Sequence, residues 1–270
     1  NLLWGMRMIN APQAWDRERG SAAVIVAVND TGVSMTHPDL QGRLLQGRDV
    51  ADGDNDVTPS PTDPAAGHGT HVSGTIAAQG NNSEGVVGVC WDGVKILPVK
   101  IFMNAGGATT ATAVDGLDWA MRNGAQVVNM SYGSHMYDAF EHSKIKELHA
   151  AGIILVGAAG NERQLGLGVG YPAAHEECIA VSALNTNEDL TIYSCFGPEI
   201  DIAAPGGEDV ENGPGSIWST YYDSTVRDSY RGWVGTSMAA PHVSGAAALL
   251  LSAGIPASRV ETRLYEGARV

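Results

Sequence analysis

The segment Gly235-Thr236-Ser237-Met238-Ala239-Ala240-Pro241-His242 runs on through Val243-Ser244-Gly245-Ala246-Ala247-Ala248-Leu249-Leu250-Leu251 and constrains the fold more than any other. It reads as a helix over 236–252, apolar nearly all round. A helix with no polar face has nothing to give to water, so it must lie inside a domain. Ser237 sits in its first turn, among unpaired backbone N–H groups and the positive end of the helix dipole. That setting suits a nucleophile whose reaction creates an oxyanion, although an ordinary N-capping hydroxyl is the commoner occupant of such a position.

The rest of the chain wraps this helix in alternating patterns. Strands are expected at 23–28, 95–102, 126–131, 153–157 and 178–183, and helices at 68–78, 110–123 and 138–151. Gly124 and Gly152 stand where helix-ending glycines belong. Alternation of this kind predicts an α/β three-layer sandwich: a mostly parallel central sheet, helices on both faces, and chemistry at the strand carboxyl ends. With 44% hydrophobic residues and no repeat or linker, the 270 residues read as a single domain, 1–270.

Two further segments supply partners for the serine. Val24-Ile25-Val26-Ala27-Val28-Asn29-Asp30-Thr31-Gly32 is a buried strand delivering Asp30 at its carboxyl end, and Gly67-His68-Gly69-Thr70-His71 opens a second small-residue helix with a histidine. A hydroxyl, an imidazole and a carboxylate are the parts needed to activate serine: the base takes the proton and the acid holds the base in one tautomer. Their order is Asp, His, Ser, and Ser237 lacks the G-x-S-x-G elbow. Taken alone, His68 would more often be structural, as His71 and His242 are expected to be. Asn29 alternates to the face opposite Asp30, so its buried amide would need a partner of its own.

The motifs Asp30-Thr31-Gly32, His68-Gly69-Thr70-His71, Ala158-Ala159-Gly160-Asn161 and Gly235-Thr236-Ser237-Met238-Ala239, in that order, resemble those of the subtilase family of serine proteases across nearly the whole chain. The resemblance implies a Ser-His-Asp triad of Asp30, His68 and Ser237, with Asn161 as the side-chain donor of the oxyanion hole. It implies a peptide groove edged by Gly106, Gly107, Ala108 and by Ser131, Tyr132, Gly133. Ala158, Ala159, Gly160 and Gly170 would line a primary pocket roomy enough for large hydrophobic residues, with Glu162 near its rim to extend tolerance to basic ones. Thr31 follows the catalytic acid where kexin-like enzymes carry a second aspartate, which argues against strict dibasic specificity. Tyr171-Pro172 matches a cis position of the family, and Met238 beside the nucleophile is an expected target of peroxide.

Structural calcium is the next expectation. Asp49, Asp52, Asp54, Asp56 and Thr58 crowd oxygen ligands into one loop, and such carboxylates repel one another unless a cation neutralises them. The loop is not an EF-hand, because Val57 stands where that loop needs glycine; it resembles a calcium loop of thermitase-like subtilases, while a solvated acidic loop is the plain reading. Asp39, Asn82, Glu84 and Val86 resemble the family's strong calcium site, the last two through carbonyls. Glu199 and Asp201, with carbonyls near Ala173, resemble a weaker cation site.

A net charge of −14 argues against nucleic acid as a partner. No run approaches the roughly 18 apolar residues of a membrane span. The resemblance implies a secreted, monomeric, mature domain that has lost an inhibitory N-terminal propeptide, acting on protein and peptide substrates. Cys90, Cys178 and Cys195 allow at most one disulfide, Cys178–Cys195, and buried free thiols equally. Glu208-Asp209-Val210-Glu211-Asn212-Gly213-Pro214-Gly215 reads as a polar surface insertion, and the carboxyl edge at Val270 as cut short relative to the family. Hydrolysis by a broad endopeptidase is the leading function. A transpeptidase or macrocyclase using the same triad, and a non-catalytic peptide-binding pseudoprotease, are the alternatives.

Overall fold

In the computed structural model, which describes residues 2–208 and 210–269, strands close a seven-stranded parallel sheet. Its members are β1 (Ile25–Asp30), β2 (Arg48–Asp49), β3 (Lys95–Lys100), β4 (Val127–Met130), β5 (Ile154–Ala158), β6 (Ile179–Leu184) and β7 (Ile202–Pro205), in the order β2-β3-β1-β4-β5-β6-β7. A separate antiparallel hairpin pairs β8 (Ile217–Asp223) with β9 (Arg227–Trp233).

Strand alternation sorts the side chains into two cores. Val26 and Val28 face a layer built from α3 (His68–Ala77) and α6 (Thr236–Ser252), where Val72, Ile76, Met238 and Val243 meet Val156 and Val181. Ala27, Val128 and Leu155 face α4 (Thr110–Arg122) and α5 (Ala139–Ala150) through Leu117, Ile145 and Leu148. The three-layer sandwich is therefore the observed fold. Helix α6 lies buried against β4, β5 and β6, as its composition requires.

The expected strands and helices all form, with ends shifted by one or two residues. Short α1 (Trp4–Met8) and α2 (Ala11–Trp15), the two-residue β2, and β7 and β9 went unanticipated. So did α7 (Ala257–Gly267), which buries Val260 against α6. Around the insertion, Glu208 N–H bonds Gly215 O at 3.0 Å, so the polar loop is pinched at its neck; Asp209 lies outside the described residues. All three cysteines are buried free thiols, so Cys178–Cys195 is not a disulfide. The Tyr171–Pro172 bond is cis.

Candidate active site

Asp30 is the last residue of β1 and only 1% exposed. Its Oδ1 accepts the Thr31 N–H at 2.7 Å and faces His68 Nδ1 at 2.7 Å. The approach needs glycine at 69, because a Cβ there would lie 2.3 Å from Gly32 O and 2.9 Å from Asp30 Cβ. Thr31 Oγ1 takes the Gly69 N–H at 3.1 Å and so ties the first turn of α3 to the end of β1. Burial alone would lower the His68 pKa; the charge of Asp30 and its hydrogen bond, with Asp63 adding further, outweigh it and raise it above 6.5. Trp233 of the hairpin packs edge-on to the His68 ring at 5.5 Å.

Ser237 lies in the first turn of α6, in the same layer as α3. Its Oγ donates to Ser131 O at 3.1 Å, and its own carbonyl accepts Ser131 Oγ–H at 2.9 Å. The second bond exists because Pro241, four residues on, has no N–H to claim the Ser237 carbonyl. Ser131 Oγ is held in turn by Asn129 Nδ2 at 2.9 Å, whose Oδ1 accepts Ser244 Oγ–H at 2.8 Å. This chain of hydroxyl and amide locks α6 onto β4, the strand beside β1. Neither Asn129 nor Ser244 was singled out in the sequence. A polar residue in the four-residue strand 127–130 facing a serine seven residues after Ser237 was the signal.

Asn161 follows β5. Its Oδ1 accepts both the Thr236 N–H (2.9 Å) and Thr236 Oγ1–H (3.0 Å), which fixes the amide and turns Nδ2 outward. Gly235, with φ of +145°, brings the chain past that amide into α6. Ser237 N–H lies in the same first turn, where the helix supplies no acceptor.

The groove segments flank this point. Gly106 and Gly107, both at positive φ, lie in a turn closed by Gly106 N–H to Met103 O at 2.8 Å, beyond β3. Ser131, Tyr132 and Gly133 leave β4. Since β3 and β4 sit on either side of β1, which ends at Asp30, their extensions are separated by about two strand spacings, ~10 Å. Behind, Ser134 and Tyr171 exchange backbone bonds of 2.8 and 2.7 Å, and Gly170 N–H bonds Ala159 O at 2.9 Å. Ala158, Ala159, Gly160 and Gly170 are thus drawn into one wall. Glu162 is not a free rim carboxylate: its Oε2 accepts its neighbour Asn161's N–H at 2.7 Å and meets His135 Nε2 at 3.2 Å, with Cys195 Sγ at 3.9 Å.

His71 and His242 are structural. His71 Nε2 donates to Ile217 O at 2.9 Å, and His242 Nδ1 to Met238 O at 2.8 Å. Burial, joined for His71 by the nearby His68, depresses them to about 3 and about 4 respectively. Met238 is 2% exposed. Among the described residues Asn29 finds no partner for either amide atom, contrary to the expectation that burial would supply one; Gly116 opposite it only makes room, a Cβ there falling 3.0 Å from Asn29 Nδ2.

Three acidic clusters behave differently. Asp39 is buried, and its two oxygens take Asn82 Nδ2 (2.6 Å) and the Val86 N–H (2.9 Å), so the 82–86 loop closes over it. Tyr230 beside it is pushed up to about 12 by burial and by the charges of Asp39 and Glu84. Both Asp39 oxygens thus meet N–H groups, while Asn82 Oδ1 takes the Glu84 N–H at 3.2 Å; carboxylate and amide oxygens in so negative a field are the donor class that calcium takes. In the 49–58 loop the counter-charge is instead a lysine: Lys100 Nζ pairs with Asp49 Oδ2 and reaches Asp52 Oδ2 at 3.3 Å, correcting the assignment of those two carboxylates to a metal. Asp54 and Asp56 cap the N–H groups of Asp56 and Thr58. Asp201 is likewise committed, accepting the Ala180 N–H at 2.9 Å at the sheet edge, while Glu199 curls back against Gly197.

Residues 21–264 match the family model described as the subtilase family. Thermitase of Thermoactinomyces vulgaris is 38% identical over 261 residues, covering 97% of this chain and 86% of the relative. Subtilisin Savinase of Lederbergia lenta is 39% identical over 261 residues, covering 96% and 88%. A solved protease of Pseudoalteromonas arctica superposes with a TM-score of 0.89 at 34% identity, covering 100% of this chain and 91% of that one. The chain belongs to the subtilase family. It is a serine endopeptidase.

Proposed function

We propose that this protein hydrolyses peptide bonds through an acyl-enzyme, with Ser237 as nucleophile, His68 as general base and then acid, and Asp30 as the orienting carboxylate. The observation that carries this reading is the 2.7 Å contact of His68 Nδ1 with Asp30 Oδ1. It fixes the proton on Nδ1 and leaves the Nε2 lone pair as acceptor. Substrate binding turns the Ser237 hydroxyl from the Ser131 carbonyl to that lone pair; such bonds commonly form only in the Michaelis complex. Ser237 Oγ then attacks the scissile carbonyl carbon, and its proton passes to Nε2. The oxygen that gains the negative charge is held by the Ser237 N–H and Asn161 Nδ2. Collapse expels the amine with the proton from His68, and water repeats the sequence to free the acid.

The substrate's backbone adds as a strand between 106–108 and 131–133, in the slot where β1 stops. The small walls at Ala158, Ala159, Gly160 and Gly170 favour large hydrophobic residues next to the cleaved bond. Glu162, tied to His135, contributes little attraction for basic ones. Asp39, Asn82 and the carbonyls of Glu84 and Val86 would hold a structural calcium ion, whose charge offsets that of Asp39. A secreted, monomeric enzyme released from an inhibitory propeptide completes the reading. Among the described residues no helix is long and apolar enough to cross a membrane.

The test is a peptide-library cleavage profile read by mass spectrometry beside Ser237→Ala and Asn161→Ala. Ser237→Ala should abolish turnover. Asn161→Ala should lower kcat by about 100- to 1000-fold, the loss found when one such donor is removed from a subtilisin. Turnover by Ser237→Ala at the parent rate defeats the mechanism, and ligated rather than hydrolysed products would favour a transpeptidase.

A further inference from the structure

On the α5 side of the molecule, away from the triad, two imidazoles and a carboxylate meet. His142 lies in the first turn of α5; His175 and Glu177 lie on the segment between the cis Tyr171–Pro172 bond and β6. His142 Nε2 is 3.0 Å from Glu177 Oε2. The rings of His142 and His175 stack 3.9 Å apart, and one ligand atom from each of the three residues lies within 4.8 Å of the others. His175 is 4% exposed, and its buried Nε2 has no hydrogen-bond partner among the described residues.

The hydrogen bond between His142 and Glu177 accounts for two of these groups and leaves the third unexplained. An orphaned buried ring nitrogen is costly, and it is a lone pair or an N–H with nothing to bind. A neutral imidazole has a ring nitrogen whose lone pair can serve a metal. We propose that His142, His175 and Glu177 form a zinc-binding site that clips α5 to the segment leading from the primary pocket to β6.

The donor set selects the metal. Two imidazoles and a carboxylate suit zinc with water as fourth ligand, whereas calcium and magnesium require oxygen donors. Tetrahedral zinc with bonds of about 2.0–2.1 Å sets its ligand atoms about 3.4 Å apart; His142 and Glu177, at 3.0 Å, are already that close, and His175, within 4.8 Å of both, must close by at most about 1.4 Å. The stacked rings must also turn until their lone pairs converge; both are side-chain rotations. The surroundings favour the loaded form. Tyr137 OH lies 3.2 Å from His142 Nδ1, the outer contact that orients a ligating imidazole, and Tyr137 also packs edge-on against His175 at 5.9 Å. Tyr171, whose backbone pairs with Ser134 behind the pocket, lies 4.7 Å from the His175 ring. Zinc would therefore stiffen one wall of the pocket from outside.

The experiment uses Ser237→Ala protein, stripped of metal and returned to millimolar calcium so that calcium sites stay filled. Zinc chloride is then titrated by calorimetry and thermal shift. One equivalent should bind with a Kd in the micromolar range or tighter, and Tm should rise by several degrees. His142→Asn, Glu177→Gln and His175→Gln should each weaken binding at least a hundredfold. His142 is partly exposed, so its variant keeps the test intact should the His175 variant not fold. Absence of saturable binding by the parent overturns the site. So does undiminished one-to-one binding by the His142→Asn/Glu177→Gln protein, which would move the zinc elsewhere, for example to His135, Glu162 and Cys195.

Discussion

Replacing Asn129 by alanine removes the middle of the chain that runs from Ser244 through Asn129 and Ser131 to Ser237. Two hydrogen bonds disappear, those at 2.8 and 2.9 Å, each worth a net ~0.5–1.5 kcal/mol. Ser244 is fully buried, so its hydroxyl must then find the carbonyl one turn back along α6 or remain unpaired, a penalty of about 1–3 kcal/mol in the second case. A loss of ~2–4 kcal/mol follows from these contributions. Because Ser131 still bonds the Ser237 carbonyl, the nucleophile should be loosened rather than removed, and kcat should fall more than KM rises. Urea unfolding in a Ser237→Ala background gives the stability change without self-digestion. The decisive measurement is the cycle with Ser244→Ala. If the orphaned hydroxyl is the physical cause, the double variant is less damaged than the sum by at least ~1 kcal/mol, whereas sites that do not interact add within ~0.3–0.5 kcal/mol. Additivity within that margin would refute the network as the device that seats Ser237.

Four other outcomes are expected. The acid limb of kcat/KM should lie above pH 6.5, since His68 must be neutral to act and Asp30 holds its pKa up; Asp63→Asn should shift that limb downward. Stability should fall with acid as pH drops from about 6.5 toward 3, as followed by Tm against pH. In that window unfolded His71 and His242 bind protons that the folded residues, at about 3 and about 4, refuse, and each unit of depression is worth ~1.4 kcal/mol. Asn29→Leu should raise stability by about 1–3 kcal/mol in denaturant unfolding, because it replaces a buried amide with no partner; a loss would mean that a bound water satisfies it. EGTA should lower Tm in the parent and leave Asp39→Asn unmoved.

What could be read from the chain was whatever depends on local pattern. The buried helix 236–252, the alternation of strands and helices, and the histidine opening 68–77 each carry their own periodicity or end signals. Elements that depend on a partner elsewhere were not legible. β2 has two residues and exists through its pairing with Val99 and Lys100 of β3, and β9 is mostly polar and half-buried, held by β8. Likewise motif spacing pointed to Asp30 and His68, but the tie between Ser131 and α6 depends on a proline freeing one carbonyl across the sheet. The Cys178–Cys195 pairing failed for the complementary reason. Cys178 packs in the core beneath α5, whereas Cys195 faces Glu162.

Lys100 shows how one side chain can do what a bound ion was expected to do. It is the last residue of β3, 2% exposed, in register with Asp30 on one side and Asp49 on the other. Its ammonium meets Asp49, Asp52 at 3.3 Å and Asn104 Oδ1 at 3.0 Å. Asn104 in turn donates to Asp52 at 2.6 Å, and its carbonyl accepts Ser60 and Thr62 hydroxyls at 2.9 and 2.7 Å. The stem passes close beneath Gly32, where a Cβ would stand 3.2 Å from Lys100 Cδ. One covalently held cation thereby joins the acidic loop, the turn after Asp30 and the groove segment that carries Gly106. Removing one partner of so buried a pair strands the other charge, at a cost of about 3–5 kcal/mol. A tethered cation cannot be chelated. Asp49 and Asp52 should therefore be indifferent to EGTA, which acts through Asp39, and respond only to a substitution such as Lys100→Met.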